Sequence, residues 1–333
     1  MIEKKINVGV IGVGYWGPNL IRNFVKNEKS IVLKVCDLKD GRLEYIKNLY
    51  PDISTTKIPD EIINDEDIDA AIIATPVNTH YELGIKCLNK NKHVFIEKPF
   101  TDNYSDGFKL VEHAKIQNKI LAVGHIFQFA PAVTALKRSI ESGLSGKLFH
   151  FSSRRINLGP PKTTVDVIWD LAPHDLSILL HIFNEYPTEI IAHGNSYWWK
   201  GIIDNAHIFL KFASCRTAHI YVSWLSSNKT REILLMGENG NYVYDEIKRS
   251  EDKLTFYDRG IDNRIGAKDS DVKNLQYGTG EIRKIEVENI EPLYAEIDAF
   301  LEAILVNKAP VNDGNIGCEV VKILEEASKS IKR

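Results

Sequence analysis

The sequence predicts an α/β protein with two domains, and three observations lead to this prediction. In the first third of the chain, short apolar runs alternate with helical patterns, which is typical of parallel strands joined by crossover helices. Beyond about residue 124, alternating strands follow one another across short turns, which indicates an antiparallel sheet. Because 333 residues are long for a single core, we expect two domains, residues 1–123 and 124–333.

The first domain is predicted to be a doubly wound parallel sheet with helices on both faces. Its strands are apolar along their whole length, as in a sheet that is covered on both sides. The predicted strands are KINVGVIG, IVLKVCD, AAIIATP, HVFIEKP and ILAVGH. The helical patterns between them are PNLIRNFVKN, GRLEYIKNLY, THYELGIKCLNKN and SDGFKLVEHAKIQN.

The second domain is predicted to be an α+β domain. After the helix PAVTALKRSIESG, the expected strands are KLFHFSSRRINL, TEIIAHGNSY, NAHIFLKF, RTAHIYVSWL, TREILLMGEN, GNYVYDE and KLTFYD. The stretch VSWLSSNKTREI is consistent with two antiparallel strands joined by a polar turn. Two helices, EPLYAEIDAFLEAILVN and NIGCEVVKILEEASKSIK, are expected to close the chain, and residues 260–285 are expected to form a loop.

Composition and charge exclude several classes of protein. A net charge of -3 gives no reason to expect a nucleic-acid partner, and no apolar run is long enough to span a membrane. The N-terminal apolar run passes into glycines and is interpreted as a first strand, so a cytoplasmic protein is expected. The four cysteines are far apart, which favours reduced, buried thiols and predicts no metal site.

A glycine-rich turn follows the first strand. Gly12, Gly14 and Gly17 have the G-x-G-x-x-G spacing between a strand and a helix, and the second strand ends in Asp37. Gly12 would permit the tight turn, Gly14 the approach of a pyrophosphate, and Gly17 the close packing of helix on strand. This pattern predicts a Rossmann domain with its phosphate site at the helix N-terminus, to which Tyr15 and Trp16 would also contribute. The alternative is a purely structural glycine turn.

The residue that ends the second strand bears on the choice of cofactor. The carboxylate of Asp37 can accept hydrogen bonds from ribose hydroxyls and would repel a 2'-phosphate, which favours NAD over NADP. Lys39 and Arg42 lie nearby in the sequence and could weaken this preference.

A lysine is expected at the ligand-binding edge of the parallel sheet. Glu97 and Lys98 end an apolar strand, and in such sheets ligands bind at the carboxyl ends of the strands. Pro99 restricts Lys98 to an extended conformation, and a cis bond between them is possible. Lys98 could donate to a substrate hydroxyl and stabilise a developing alkoxide. A salt bridge at the end of the strand is an equally weighted alternative.

An acid and a histidine are spaced one helical turn apart in VIWDLAPHDLSIL. Asp170 is interpreted as the N-cap or a first-turn residue, with Pro173 in the first turn, so that Asp170 and His174 share a face. The helix N-terminus would keep His174 neutral, as a general base requires, and Asp170 would fix its tautomer. Asp175 points elsewhere and is expected to be structural. The alternative is a capped helix with a packed histidine.

The glycine turn, the EKP tripeptide that contains Lys98 and the D-x-x-x-H pair together resemble the Gfo/Idh/MocA family of oxidoreductases. The resemblance extends to ATPVNTH at 74–80, GHIFQFAPA at 124–132 and EPLYAEIDAFLEAI near the end. It implies a Rossmann domain, a second domain with a large, open, mostly antiparallel sheet, and hydride transfer between a nicotinamide and a sugar or polyol carbon. It also implies a homodimer or homotetramer that associates through this sheet.

The resemblance assigns roles to individual residues. Lys98, Asp170 and His174 are the implied catalytic and substrate-binding set. The implied cofactor-binding residues also include Thr75, Pro76, Asn78, His80, Glu97 and His125. Arg155 and Asn157, on one face of a strand, could contact a substrate diphosphate or sugar, although a subunit contact or a solvated face explains them equally well. Trp198, Trp199 and Trp224 are expected to serve packing or subunit contacts.

Two departures from the family pattern affect the expected substrate. VIWD stands where many members have a glycine-rich run, and Gln128-Phe129 where many have Arg-Phe. The combination of RRINLG with VIWDLAPHD resembles members that act on nucleotide-linked sugars, such as UDP-N-acetylglucosamine-type 3-dehydrogenases. A keto-sugar reductase, an inositol or polyol dehydrogenase, and a non-catalytic nucleotide-binding sensor are the alternatives.

Overall fold

The computed structural model describes residues 5–159, 165–258 and 280–331. Contacts divide the chain into two compact units. The first unit comprises Met1–Phe129 and Ile290–Glu325, and the second comprises Ala130–Asn289 and Glu326–Arg333.

The first unit contains a parallel sheet of six strands. The strands are β1 (Ile6–Ile11), β2 (Ser30–Cys36), β3 (Ser54–Thr56), β4 (Ala70–Ile73), β5 (His93–Glu97) and β6 (Leu121–Gly124). They are joined by helices α1 (Gly17–Lys26), α2 (Asp40–Leu49), α3 (Asp60–Ile63), α4 (His80–Asn89) and α5 (Tyr104–Ile116). The strand order β3-β2-β1-β4-β5-β6 confirms the doubly wound parallel sheet, with the short edge strand β3 added to the five predicted strands. The order reverses between β1 and β4, where such sheets bind ligands.

The last part of the chain returns to the first unit. Helix α8 (Pro292–Val306) buries Leu293, Ile297 and Phe300 in one apolar cluster with residues of β1, β2 and α1. The ring of Phe300 meets that of Phe95 on β5 edge to face, with centroids 5.5 Å apart. Residues 290–325, which the prediction placed in the second domain, lie in the first unit, because the apolar face of α8 is buried against the first sheet.

The second unit contains helices α6 (Pro131–Glu141) and α7 (Val167–Phe183) and a sheet of eight strands. The strands are β7 (Leu148–Leu158), β8 (Pro187–Asn195), β9 (Asn205–Phe212), β10 (Thr217–Ser223), β11 (Leu225–Gly237), β12 (Asn241–Asp245), β13 (Leu254–Tyr257) and β14 (Ile282–Lys284). Their order is β14-β13-β12-β11-β7-β10-β9-β8, and only the pairing of β7 with β10 is parallel. The predicted large, mostly antiparallel sheet is confirmed.

Two local predictions need correction. The strands β10 and β11 follow each other in sequence, but β7 lies between them, so VSWLSSNKTREI is not a hairpin. The chain leaves β10 at Trp224, whose N–H donates to the carbonyl of Asp204. The predicted loop 260–285 contains β14 at its end, and its residues up to 279 lie outside the described residues.

The final helix, α9 (Gly314–Ile331), carries Cys318, one of the four free cysteines. Three of these thiols are buried, as predicted, but Cys215 is exposed in the turn between β9 and β10. In the part of the chain that the structure describes, no helix is long and apolar enough to cross a membrane.

Candidate active site

Five of the predicted site residues lie where parallel strands of the first unit end. Gly12, Asp37, Lys98 and His125 directly follow β1, β2, β5 and β6, and Thr75 lies two residues beyond β4. Because the carboxyl ends of parallel strands meet at one edge, these residues are gathered along that edge of the sheet.

The glycine turn has the geometry that its spacing predicts. Gly12 has a φ of 104°, and a Cβ there would lie 2.5 Å from the carbonyl oxygen of Ala74. A Cβ on Gly17 would lie 2.4 Å from the carbonyl oxygen of Gly12, which shows how closely α1 packs on the turn. A Cβ on Gly14 would meet no atom within 4 Å, so the backbone there is open to a ligand. The side chain of Tyr15 is 95% exposed beside it.

Asp37 is organised as a hydrogen-bond acceptor. Its Oδ2 accepts from the N–H of Val13 at 2.8 Å and from Arg42 at 3.2 Å, and its Oδ1 accepts from the N–H of Lys39 at 2.9 Å. Burial raises the pKa of Asp37, but these three hydrogen bonds outweigh burial and lower it overall. The carboxylate therefore stays ionised, and Oδ1 keeps an acceptor position for a ribose hydroxyl.

A histidine joins the loop after β4 to the loop after β5. The ring of His80 contacts the carbonyl oxygens of Thr75 at 2.8 Å, Pro99 at 3.0 Å and Phe100 at 3.2 Å. Burial lowers the pKa of His80, although these carbonyls oppose that effect. His80 thus shapes both loops from the inside, whereas Pro76 and Asn78 are exposed on the first of them.

The end of β5 places Lys98 and Glu97 side by side. The Lys98–Pro99 bond is cis. The carboxylate of Glu97 accepts from the backbone N–H of Lys98 at 3.2 Å, and the side chain of Trp16 is a further donor to it. Burial raises the pKa of Glu97 to about 7, although the charge of Lys98 and both donors oppose it. Glu97 therefore connects the glycine turn to the predicted catalytic lysine.

His125, beyond the end of β6, is 1% exposed. Burial, and then the positive charge of Lys98, lower the pKa of His125 to about 3. Its imidazole is therefore neutral at physiological pH, which suits a side chain that flanks a cofactor without adding charge.

Helix α7 of the second unit carries Asp170 and His174 on a single face. The helix begins earlier than predicted, because Asp166 caps it by accepting from the N–H groups of Ile168 and Trp169 at 3.0 and 3.1 Å. Asp170 is a first-turn residue, one of the two predicted positions. The placement of Pro173 in the first turn is wrong, since it lies inside the helix.

The earlier start of the helix places His174 farther from its N-terminus than predicted. His174 is the eighth residue of the helix, so it lies beyond the first turn, where the helix dipole mainly acts. Most of α7 is buried, but Asp170 and His174 are partly exposed, four residues apart. This spacing makes the two side chains neighbours on the accessible face of the helix.

Trp224 is a residue that the sequence analysis did not include in the site. It is 3% exposed, and its indole Nε1 donates to Oδ2 of Asp170 at 3.2 Å. A donor at this position holds the carboxylate in place. The break between β10 and β11 places the indole there, and a tryptophan in VSWLSS was the only signal in the sequence.

Arg155 on β7 is buried and forms ion pairs with two carboxylates. Arg155 is 2% exposed and donates to Asp175 at 2.9 and 3.1 Å and to Glu246 at 3.0 Å. Burial lowers the pKa of Arg155, but attraction to both carboxylates outweighs burial and raises it. This arrangement does not support the predicted substrate contact of Arg155, because its donors serve the buried carboxylate of Asp175 and the partly exposed carboxylate of Glu246. It agrees with the structural role expected of Asp175.

The other predicted substrate residue on β7, Asn157, lies near Trp224. A Cβ on Gly159 would meet Nδ2 of Asn157 and Cδ1 of Trp224, both at 3.4 Å. Asn157 therefore lies near the indole that donates to Asp170, and Asn157 remains a candidate for contact with substrate.

Comparison with known protein families gives two matches that together span most of the chain. Residues 6–125 match the GFO_IDH_MocA model, described as an oxidoreductase family with an NAD-binding Rossmann fold. Residues 133–243 match the model of the GFO/IDH/MocA C-terminal domain.

Individual relatives differ in the substrates that they are named for. Myo-inositol 2-dehydrogenase of Thermotoga maritima is 29% identical over 75% of this chain and 78% of its own length. UDP-N-acetylglucosamine 3-dehydrogenase of Acidithiobacillus ferrooxidans is 23% identical over 95% of this chain and 94% of its own. A solved structure of the latter enzyme covers 98% of both chains with a TM-score of 0.84 at 22% identity, which shows that the fold is shared.

Proposed function

This chain belongs to the Gfo/Idh/MocA family of NAD-binding oxidoreductases, and on that premise we propose that it oxidises a secondary hydroxyl of a sugar with NAD. The observation that carries the proposal is the position of Lys98. It directly follows β5 at the edge where the glycine turn, Asp37 and His125 also lie. A lysine at this edge is suited to act on a substrate that adjoins the nicotinamide.

The residues of the first unit fit NAD. The open backbone at Gly14 and the N-terminus of α1 suit a pyrophosphate, and Asp37 offers an ionised acceptor to the ribose. The Asp37 carboxylate would repel a 2'-phosphate, because Arg42 neutralises the negative charge of Asp37 only in part. We therefore expect Asp37→Ser to raise the use of NADP relative to NAD by about tenfold or more. An unchanged ratio would show that other residues select the cofactor.

Three side chains have separate roles in the oxidation of the hydroxyl. The ammonium of Lys98 donates to the substrate oxygen and stabilises its developing negative charge. His174 accepts the hydroxyl proton, and Asp170, held by Trp224, orients the imidazole and stabilises its charged form. When bound, NAD supplies the acceptor for the hydride from the same carbon. The products are a ketone, NADH and a proton that His174 releases to water.

The substrate that we propose is a UDP-linked amino sugar oxidised at C3, as a step in the biosynthesis of activated sugars. This choice is supported by the likeness over nearly the whole chain to a protein named UDP-N-acetylglucosamine 3-dehydrogenase. A free inositol is the second candidate. It is favoured by the higher identity, over a shorter span, to a myo-inositol 2-dehydrogenase.

A substrate panel distinguishes these candidates. The purified protein is mixed with NAD and with UDP-N-acetylglucosamine, free N-acetylglucosamine or myo-inositol, and NADH formation is followed by its absorbance. We expect the fastest rate with UDP-N-acetylglucosamine and a 3-keto product by NMR. A faster rate with myo-inositol would support the second candidate. Tight NAD binding without turnover of any sugar would instead indicate a non-catalytic sensor.

The free face of the large sheet is the surface through which we propose self-association into a dimer or tetramer. A row of paired residues crosses the sheet on this face, from Ile191 through Phe209, His219 and Ser152 to Leu234. Ile191 and Phe209 are 42% and 44% exposed. Large apolar side chains exposed on a sheet face are typical of interaction surfaces.

A further inference from the structure

A cluster of buried polar groups lies in the first unit, behind the ends of β5 and β6. Its members are Glu97, His125, Glu296 on α8, and Asn312 in the segment before α9. Glu296 and Asn312 are fully buried, and Oε1 of Glu97 is buried although part of its side chain is exposed. Polar groups this deep are almost always hydrogen-bonded, so their partners must be accounted for.

Asn312 connects the cluster to β6. Its Nδ2 donates to the carbonyl of Val123 at 2.7 Å and to Oε1 of Glu296 at 3.3 Å. The backbone carbonyl of Asn312 accepts from the N–H of Val123 at 2.9 Å. The amide donors are thereby used, which fixes Glu296 beside the end of β6.

Glu97 approaches the same strand end from β5. A Cβ on Gly124 would lie 2.8 Å from its Oε2, so the carboxyl group rests directly on the backbone there. Oε2 also accepts from the N–H of Lys98. This carboxyl group therefore contacts the backbone on both sides, at Gly124 and at Lys98.

Both carboxyl groups keep one oxygen without a partner among the described residues, Oε1 of Glu97 and Oε2 of Glu296. Two carboxylates cannot both be ionised at close range in a buried site, but a single proton turns one of them into a donor for the other. We propose that Glu296 is a protonated carboxylic acid that donates to Glu97, and that it is a positioning residue for Lys98 and Trp16.

The electrostatics of the cluster agree with this assignment. Burial and then the charge of Glu97 raise the pKa of Glu296 well above its ordinary value. Glu97 is a better acceptor than Glu296, because Glu97 lies beside the ammonium and the backbone N–H of Lys98. His125, the other titratable group here, is neutral. Its two ring nitrogens and Oδ1 of Asn312 have no described protein partner, so we expect ordered water beside the pair.

Infrared spectroscopy of the protein without substrate tests the proposal directly. At about pH 8, ordinary glutamates are ionised, so the carbonyl stretch of a protonated carboxylic acid isolates this pair. We expect the band in the wild type, its loss in Glu296→Gln, and its retention in Glu302→Gln, a control at an exposed position of the same helix. Absence of the band in the wild type, or its persistence in Glu296→Gln, would overturn the proposal.

Cofactor binding tests the positioning role, which rests on the proposed function because it takes Lys98 and Trp16 as cofactor-site residues. Glu296→Gln keeps an N–H donor for Glu97, and we expect NADH affinity within about threefold of the wild type. Glu296→Leu removes the donor, and we expect about tenfold weaker binding. Equal affinities for the wild type and Glu296→Leu, or equal losses in both variants, would contradict the positioning role.

The two proposals can fail separately. A wild type that binds NADH and oxidises a sugar but lacks the infrared band overturns the buried acid and leaves the function in place. A protein that shows the band but turns over no sugar retains the buried acid and loses the proposed function. If Glu296→Leu does not fold, the spectra of the wild type and Glu296→Gln still decide whether the acid exists.

Discussion

The Trp224 indole donates a hydrogen bond to Asp170. Trp224→Phe keeps an aromatic ring but removes the N–H that lies 3.2 Å from Oδ2 of Asp170. A hydrogen bond to a charged group contributes about 1.5–3 kcal/mol, so we expect kcat to fall roughly 10- to 100-fold. The affinity for NADH should not change. Trp199→Phe, the same substitution in the loop before β9, is the control, and an unaltered kcat in Trp224→Phe would remove the indole from the mechanism.

The buried His125 makes stability depend on pH. Its pKa is about 3 in the folded chain and near 6.5 when unfolded, so between these values only the unfolded state binds the proton. The neutral imidazole therefore contributes fully to the free energy of unfolding above the pKa of the unfolded state. As the pH falls below that pKa, this contribution is lost by about 1.4 kcal/mol per pH unit.

Urea unfolding at two pH values below 6.5 measures this effect. His125→Gln is expected to flatten the pH dependence of the unfolding free energy by about 1.4 kcal/mol per unit. His193→Gln, at an exposed position of β8, should leave the slope unchanged. The same slope in the wild type and in His125→Gln would mean that the imidazole is not held neutral.

The position of a residue can be predicted from the sequence where strand order alone determines it. Gly12, Asp37 and Lys98 end strands, and the topology of a parallel sheet brings such positions together whatever the side-chain packing. Trp224 and Glu296 could not be found in this way. Their positions depend on a strand break and on a helix that returns from far along the chain, and neither leaves a local pattern.

At the scale of elements, α7 shows where a sequence pattern is insufficient. The apolar run and the i, i+4 spacing of Asp170 and His174 predicted the helix and its accessible face. The start of the helix was misplaced because the proline at position 173 suggested a first turn, whereas Asp166 provides the cap. A proline inside a buried helix is tolerated here because tertiary packing outweighs the lost hydrogen bond.

The pair Arg155 and Asp175 ties α7 to the sheet. Arg155→Met leaves the Asp175 carboxylate buried and unpaired, and we expect a loss of about 3–5 kcal/mol in unfolding free energy. The adjacent Arg154 is 52% exposed and pairs with Glu232, so Arg154→Met should cost less than about 1 kcal/mol. Equal costs, measured by urea unfolding, would contradict a structural role confined to Arg155.

At the scale of the whole molecule, the sequence predicts two domains that are consecutive segments, whereas each unit of the structure combines two separate segments of the chain. The apolar pattern of α8 correctly predicted a helix, yet no local signal says which sheet a helix packs on. Burial of Leu293 and Phe300 against the first sheet decides it. Strand order in the second sheet was likewise hidden, because the intervening β7 comes earlier in the sequence than β10 and β11.

Self-association belongs to this scale as well. Phe209→Glu places a charge beside Ile191 in the row of paired residues on the free face of the large sheet, and we expect it to convert the assembly to monomers. Sedimentation equilibrium measures the mass directly. Lys211→Glu, on the same strand and face but in the neighbouring row, where Lys211 pairs with Glu189, is the control for added charge. A monomeric wild type would refute the proposed interface.

The central claim is that Lys98 and His174 carry out the oxidation of a sugar hydroxyl. Its most direct test is single-turnover NADH formation from NAD and UDP-N-acetylglucosamine by the wild type, Lys98→Met, His174→Gln and the surface control Lys90→Met. We predict that the wild type and Lys90→Met form NADH. In Lys98→Met and His174→Gln the rate of NADH formation should fall about a thousandfold or more, although both variants should still bind NADH. Near-normal rates in Lys98→Met and His174→Gln would contradict the assignment.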